Sequence, residues 1–71
     1  MERFGEKLAD LRQQRNLTLR ELGDMLGVYN TYISQLEKGK RTPNAAMILK
    51  IARLFDVSTD ILMKDELELW A

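Results

Sequence analysis

Apolar side chains recur at Phe4, Leu8 and Leu11, with Glu6, Lys7, Asp10, Arg12 and Gln13 filling the positions between them. Steps of four and three follow the turn of an α-helix, so the pattern predicts an amphipathic helix that ends near Arg15 and Asn16, those polar residues on its wet face. Thr18-Leu19-Arg20-Glu21 then has the form of a capping box, with Leu17 before the cap and Leu22 after it as a hydrophobic staple. A second helix is expected from about residue 19, turning Leu22, Met25 and Leu26 inward. It should stop at Gly27, which accepts the left-handed backbone of a helix end.

A third short helix is expected after Val28, burying Ile33 and Leu36 and closing at Gly39. Tyr29 stands where a capping Ser or Thr would be usual, which makes Asn30 the candidate cap. Thr42-Pro43-Asn44 predicts an extended loop with Asn44 as the next cap. The fourth helix should reach about Phe55, apolar at Ala45, Ile48, Leu49, Ile51, Ala52, Leu54 and Phe55. So wide a face points to the central helix of the fold. Asp56-Val57 reads as a turn, Ser58 as a cap, and Val57 with Leu62 as a second staple on a fifth helix ending near Met63. No stretch alternates with period two. The expected fold class is therefore all-α, a compact arrangement of five short helices within residues 1–63, followed by an acidic and apolar tail, 64–71. If that tail is helical, Met63, Leu67 and Trp70 form one stripe, with Asp65, Glu66 and Glu68 largely facing water.

A chain of 71 residues, 45% apolar and 31% charged, supports one folded core and no more. It contains neither cysteine nor histidine. That excludes disulfides, sites for zinc or haem built on those side chains, thiol nucleophiles and imidazole bases. Paired carboxylates such as Asp65 and Glu66 read as a solvated tail rather than a catalytic dyad, so no enzyme and no cofactor is expected. No apolar run approaches the roughly 18 residues of a membrane span, and no signal peptide opens the chain, so a cytoplasmic protein without membrane contact is expected. Formal net charge is zero, yet residues 1–41 carry +2 and residues 42–71 carry −2. An anionic partner should meet the first half.

Residues 19–37 carry more than two helices. A sharp crossing needs a turn residue tolerant of positive φ (Gly27), a small residue where the helices pass (Gly23), and apolar pegs (Leu22, Leu26, Ile33, Leu36). That is a helix-turn-helix. With Leu17-Thr18, Glu21-Leu22-Gly23, Leu26-Gly27-Val28, Ile33-Ser34-Gln35-Leu36-Glu37-Lys38-Gly39 and Lys40-Arg41-Thr42-Pro43-Asn44, the chain resembles the phage-repressor and Cro-like, or xenobiotic-response-element, helix-turn-helix family. Leu49, Ile51, Ala52, Phe55, Val57 and Leu62 extend the resemblance over residues 4–63. It implies a lambda-repressor-like domain whose second and third helices form the motif. Two positions depart from the family: Leu19 replaces a frequent Gln that helps hold a phosphate, and Tyr29 replaces the usual Ser or Thr.

The resemblance implies a recognition helix at about residues 29–38, lying in the major groove of double-stranded DNA. With Ile33 and Leu36 turned inward, Tyr29, Asn30, Thr31, Ser34 and Gln35 are the candidate base readers, Asn30 and Gln35 foremost because a side-chain amide matches adenine N6 and N7. Thr18, Arg20, Tyr32, Lys38, Lys40, Arg41 and Asn44 are the candidate phosphate-binding residues. Tyr29 and Tyr32 could stack on sugar, touch thymine methyl groups, or pack against the protein. Glu37 reads as structural, a partner for Arg12 or Arg15. The leading expectation is a dimeric transcriptional regulator on a near-palindromic operator, a homodimer meeting through the fifth helix, around Ile61 and Met63, and the tail. Near-neutral charge and Leu19 leave a second reading open, a protein-interaction module (antitoxin or adaptor) on the same fold.

Overall fold

The computed structural model describes residues 1–69, and these form five helices: α1 (Phe4–Gln14), α2 (Leu19–Leu26), α3 (Asn30–Glu37), α4 (Ala45–Phe55) and α5 (Thr59–Met63). There is no strand among the described residues. Each helix sends one side chain wholly out of water, Leu8, Leu22, Ile33, Ile51 and Leu62, all at 0% exposure. At about 1.5–3 kcal/mol for each buried aliphatic side chain, this cluster holds five short helices that none of them could maintain alone.

The caps stand where expected. The Thr18 hydroxyl accepts the Glu21 N–H at 3.0 Å while the Glu21 carboxylate accepts the Thr18 N–H at 2.9 Å. Asn44 accepts the Met47 N–H at 2.8 Å, and Ser58 accepts the Ile61 N–H at 3.1 Å. Gly27 ends α2 at φ 76°, and Asp56 ends α4 in the same left-handed region at φ 55°. Asn30 is not a cap. Tyr29 occupies that position, makes no side-chain capping bond, and leaves Asn30 as the first residue of α3.

Several inward assignments change. Met25 is 52% exposed, because Leu19, Leu22 and Leu26 define the inner side of α2 and Met25 falls beyond its edge. On α4, Ala45 and Leu49 face water and Leu54 is half-buried, while Met47 joins the core beside Ile48, Ile51, Ala52 and Phe55. The most extensive helix–helix packing is that of α3 with α2 and with α1, so α3, not α4, is the hub.

On α1, Gly5 and Lys7 lie on the buried side. A β-carbon at Gly5 would strike the carbonyls of Leu36 and Glu37 at the end of α3. Lys7, only 1% exposed, donates from Nζ to the carbonyls of Ile61 at 2.6 Å and Lys64 at 2.7 Å, closing the last turn of α5.

The tail is not helical over its described part. Lys64 turns out of α5 at φ −93°, ψ 117°, and residues 64–69 form turns and bends. Asp65 is only partly exposed, and its Oδ2 and Oδ1 accept the N–H groups of Glu2 at 3.0 Å and Arg3 at 2.9 Å, joining the tail to the residues just before α1. Arg3 in turn meets Glu68 with two parallel bonds of 3.0 Å. Leu69 packs against the core, Leu67 is exposed, and Trp70 lies outside the described residues, so the stripe does not form as drawn.

Hydrogen bonds from the Arg3 and Glu2 amides hold the Asp65 carboxyl below its ordinary value of 3.8, and the Arg3 guanidinium lowers that of Glu68. A carboxyl depressed in the folded state stabilises the fold above its unfolded pKa, and that contribution disappears as pH falls through the folded one. Melting temperature should therefore fall as pH drops below about 4. An Asp65→Asn variant should show a shallower fall over that range; parallel melting curves for the two proteins would exclude the clasp.

Candidate nucleic-acid interface

The turn between α2 and α3 is closed by the Val28 N–H on the Gly23 carbonyl at 2.8 Å. A β-carbon on Gly23 would lie 2.7 Å from the Val28 carbonyl oxygen and 3.3 Å from the Asn30 nitrogen, so the small residue is what lets the helices cross here. The far end of α3 is fixed by Arg12. Its Nε and Nη2 donate to the two Glu37 carboxylate oxygens at 2.7 and 3.1 Å, while Nη1 donates to the Leu17 carbonyl at 2.9 Å. With only 15% and 12% of the two side chains exposed, this forked pair joins α1, the α1–α2 turn and α3, and it raises the Arg12 pKa. Arg15 goes elsewhere, donating to the carbonyls of Leu54 and Phe55 and lying over the Phe55 ring. Lys50 of α4 donates to the Leu26 carbonyl at 3.2 Å, tying α4 to the end of α2.

So held, α3 keeps Ile33 and Leu36 in the core and turns Thr31 and Gln35 outward along one ridge, which Lys38, just past the end of the helix, continues. Tyr29, Thr31, Tyr32 and Gln35 line one open concavity together with Arg41 and Asn44 from the following loop, with Gly23 and Asp24 on the α2 wall. Asn30 and Ser34 lie outside it on the opposite flank of α3, Ser34 half-buried. Thr18 and Arg20 sit at the exposed start of α2, and Lys38 and Lys40 on the exposed loop after α3.

The two tyrosines separate. Tyr29 is 84% exposed, whereas Tyr32 packs against the core with the Arg41 guanidinium 5.6 Å above its ring centre. Among the described residues, Arg20, Lys38, Lys40, Arg41 and Arg53 form no ion pair. Four of those five flank α2 and α3, so a chain of zero formal charge still leaves unneutralised cations beside one helix. Gly5, Lys7 and the Arg12–Glu37 fork position this surface without lining it. Of these, sequence reasoning found only Glu37 and its Arg12 alternative.

The sequence pattern of the helix-turn-helix family matches residues 8–62, from the middle of α1 through α5. The chain belongs to that family. Among its helix-turn-helix relatives, an uncharacterised HTH-type transcriptional regulator of Archaeoglobus fulgidus is 40% identical over 65 residues, 90% of this chain and 92% of that one. The HTH-type transcriptional activator BcrR of Enterococcus faecalis is 41% identical over 63 residues, 89% of this chain but 31% of that one. The first curated relatives are longer proteins, of which this chain spans 31% to 54%. In three dimensions the helix-turn-helix chain resembles the P22 c2 repressor solved in complex with a synthetic operator, with a TM-score of 0.81, 33% identity, and 86% and 92% of the two chains covered.

Proposed function

We propose that this helix-turn-helix chain binds double-stranded DNA sequence-specifically in a transcriptional regulator, with α3 laid in the major groove. The observation that carries the reading is the outward ridge of α3, unobstructed and bordered by cations that the fold leaves unpaired. Base reading falls to Gln35 and Thr31 on the ridge, with Asn30, Ser34 and Tyr29 at its margins. Phosphates fall to Arg20 and the Thr18 hydroxyl at the start of α2, to Lys38, Lys40 and Arg41, and to the Asn44 helix start. The Thr18 N–H is already taken by Glu21, which leaves its hydroxyl proton as the donor to phosphate. Asn44 likewise keeps its side-chain amide N–H groups free while its oxygen caps α4. The assembly proposed is a homodimer on a near-palindromic operator, joined around α5, where Met63 and the following Leu67 are exposed. Two recognition helices would then sit about 34 Å apart.

Selection from a random duplex pool tests these statements together. Enrichment of a motif with twofold symmetry and half-sites one turn apart is expected; a protein-interaction module would enrich no sequence. On the selected site, Gln35→Ala should lose on the order of 1–3 kcal/mol while random duplex binding stays nearly intact, because a base contact goes and no charge does. Lys40→Ala or Arg41→Ala should weaken both duplexes alike and reduce the salt slope by about one. Equal losses for Gln35→Ala on both duplexes would remove it from the base readers.

A further inference from the structure

Tyr32 is half-buried against the core, and its exposed ring face carries the Arg41 guanidinium at 5.6 Å. Arg41 is exposed and makes no ion pair among the described residues. It projects from a short loop bounded by Gly39, at φ 75°, and by the buried Pro43. Both side chains open on the same concavity as Gln35 and Asn44.

We infer that Tyr32 is a positioning residue of this interface: its ring holds the Arg41 guanidinium in place to take a DNA phosphate, and Tyr32 itself touches no phosphate. The inference rests on the DNA-binding reading above. A guanidinium that stacks uses its flat face, and its five N–H donors radiate in the plane, at the edge. At 5.6 Å from the ring centre the guanidinium is attracted through its charge and not through its N–H groups, which stay open to an anion. A free arginine side chain would lose its rotamer freedom at the moment of binding, whereas one already seated on a ring loses less, and the difference appears as affinity. The stack is available because Tyr32 lies one turn before Leu36, on the flank of α3 that faces residues 41–47, and because its inner edge is fixed by the core. Phenylalanine offers the same face; an aliphatic side chain fills the apolar space and offers none.

The experiment measures binding to a random-sequence duplex across salt concentrations for Tyr32→Phe, Tyr32→Leu, Arg41→Ala and the double variant Tyr32→Leu/Arg41→Ala, each first checked by its melting curve. Tyr32→Phe should bind as the parent does. Tyr32→Leu should weaken binding about three- to tenfold, and should have no further effect once Arg41 is alanine. A separate reading needs no DNA: in the free protein the Arg41 δ-methylene protons should be shifted upfield by the ring, unchanged in Tyr32→Phe and at ordinary positions in Tyr32→Leu. That measurement stands even for a weakened variant. If Tyr32→Leu weakens binding equally with and without Arg41, or if the methylene shift is absent in the parent, the positioning role is wrong. If Arg41→Ala itself leaves affinity and salt slope unchanged, the phosphate contact beneath it is wrong, and this inference falls with that contact while base reading by α3 is judged separately.

Discussion

The Gly5→Ala variant is expected to melt roughly 10–20 °C below the parent, the loss corresponding to about 3 kcal/mol in a domain of this size. Nothing local accounts for so large an effect, since alanine is the better helix former by about 1 kcal/mol. The cost comes from the new methyl group, which would press on the backbone carbonyls of Leu36 and Glu37. Neither carbonyl can rotate aside as a flexible side chain could, so α1 and the end of α3 must separate. That movement would stretch the Arg12–Glu37 fork and tilt the outward ridge, so DNA affinity should fall further than the unfolded fraction explains. Gly27→Ala supplies the contrast. A β-carbon there meets nothing within 4 Å, and the penalty is that of the left-handed backbone at φ 76°, about 1–2 kcal/mol. Denaturant titration of the two variants should rank them in this order; a Gly5→Ala protein as stable as the parent would mean that the close approach is not there.

Lys7→Met should lose about 2–4 kcal/mol, because it removes two charge-assisted hydrogen bonds, taking the side-chain donor from the Ile61 carbonyl and leaving the Lys64 carbonyl only the Leu67 N–H at 3.1 Å. Methionine fits the volume, so packing loss contributes little. The damage should concentrate in α5 and the tail, which the ammonium group joins to α1. Hydrogen exchange separates this from uniform destabilisation: amides at Met63, Lys64 and Leu67 should lose protection first, while the Leu22 and Ile33 amides follow only global unfolding. Equal acceleration everywhere, or none, would contradict the role given to Lys7. Lys7→Arg should not restore stability, since a longer planar group does not fit where an ammonium is 1% exposed.

The five helices and their ends, the start of α3 excepted, were legible in the sequence because the physics that sets them acts within about one turn of chain. Thr18 finds its partner at Glu21, Asn44 at Met47, Ser58 at Ile61, and Gly27 needs only its own missing β-carbon. The helix-turn-helix was legible for a related reason: its apolar pegs and glycines lie within 15 residues, from Leu22 to Leu36, on two helices joined by one turn. The outward set on α3 followed by subtraction. What the sequence concealed are the groups whose partners arrive from elsewhere in the fold. Lys7 reads as a wet-face lysine until carbonyls 54 and 57 residues away come within reach. Asp65 reads as a solvated acid until it accepts an amide 62 residues earlier, and that contact draws the tail off a helical path. Met25, apolar but beyond the edge of its helix's inner face, was misplaced because periodicity gives a stripe without its width. Local hydrogen bonds and turn geometry determined where the helices form; tertiary contacts alone decided which polar groups could be buried, because burial of a charge or a carbonyl depends on a partner that only the folded chain brings near.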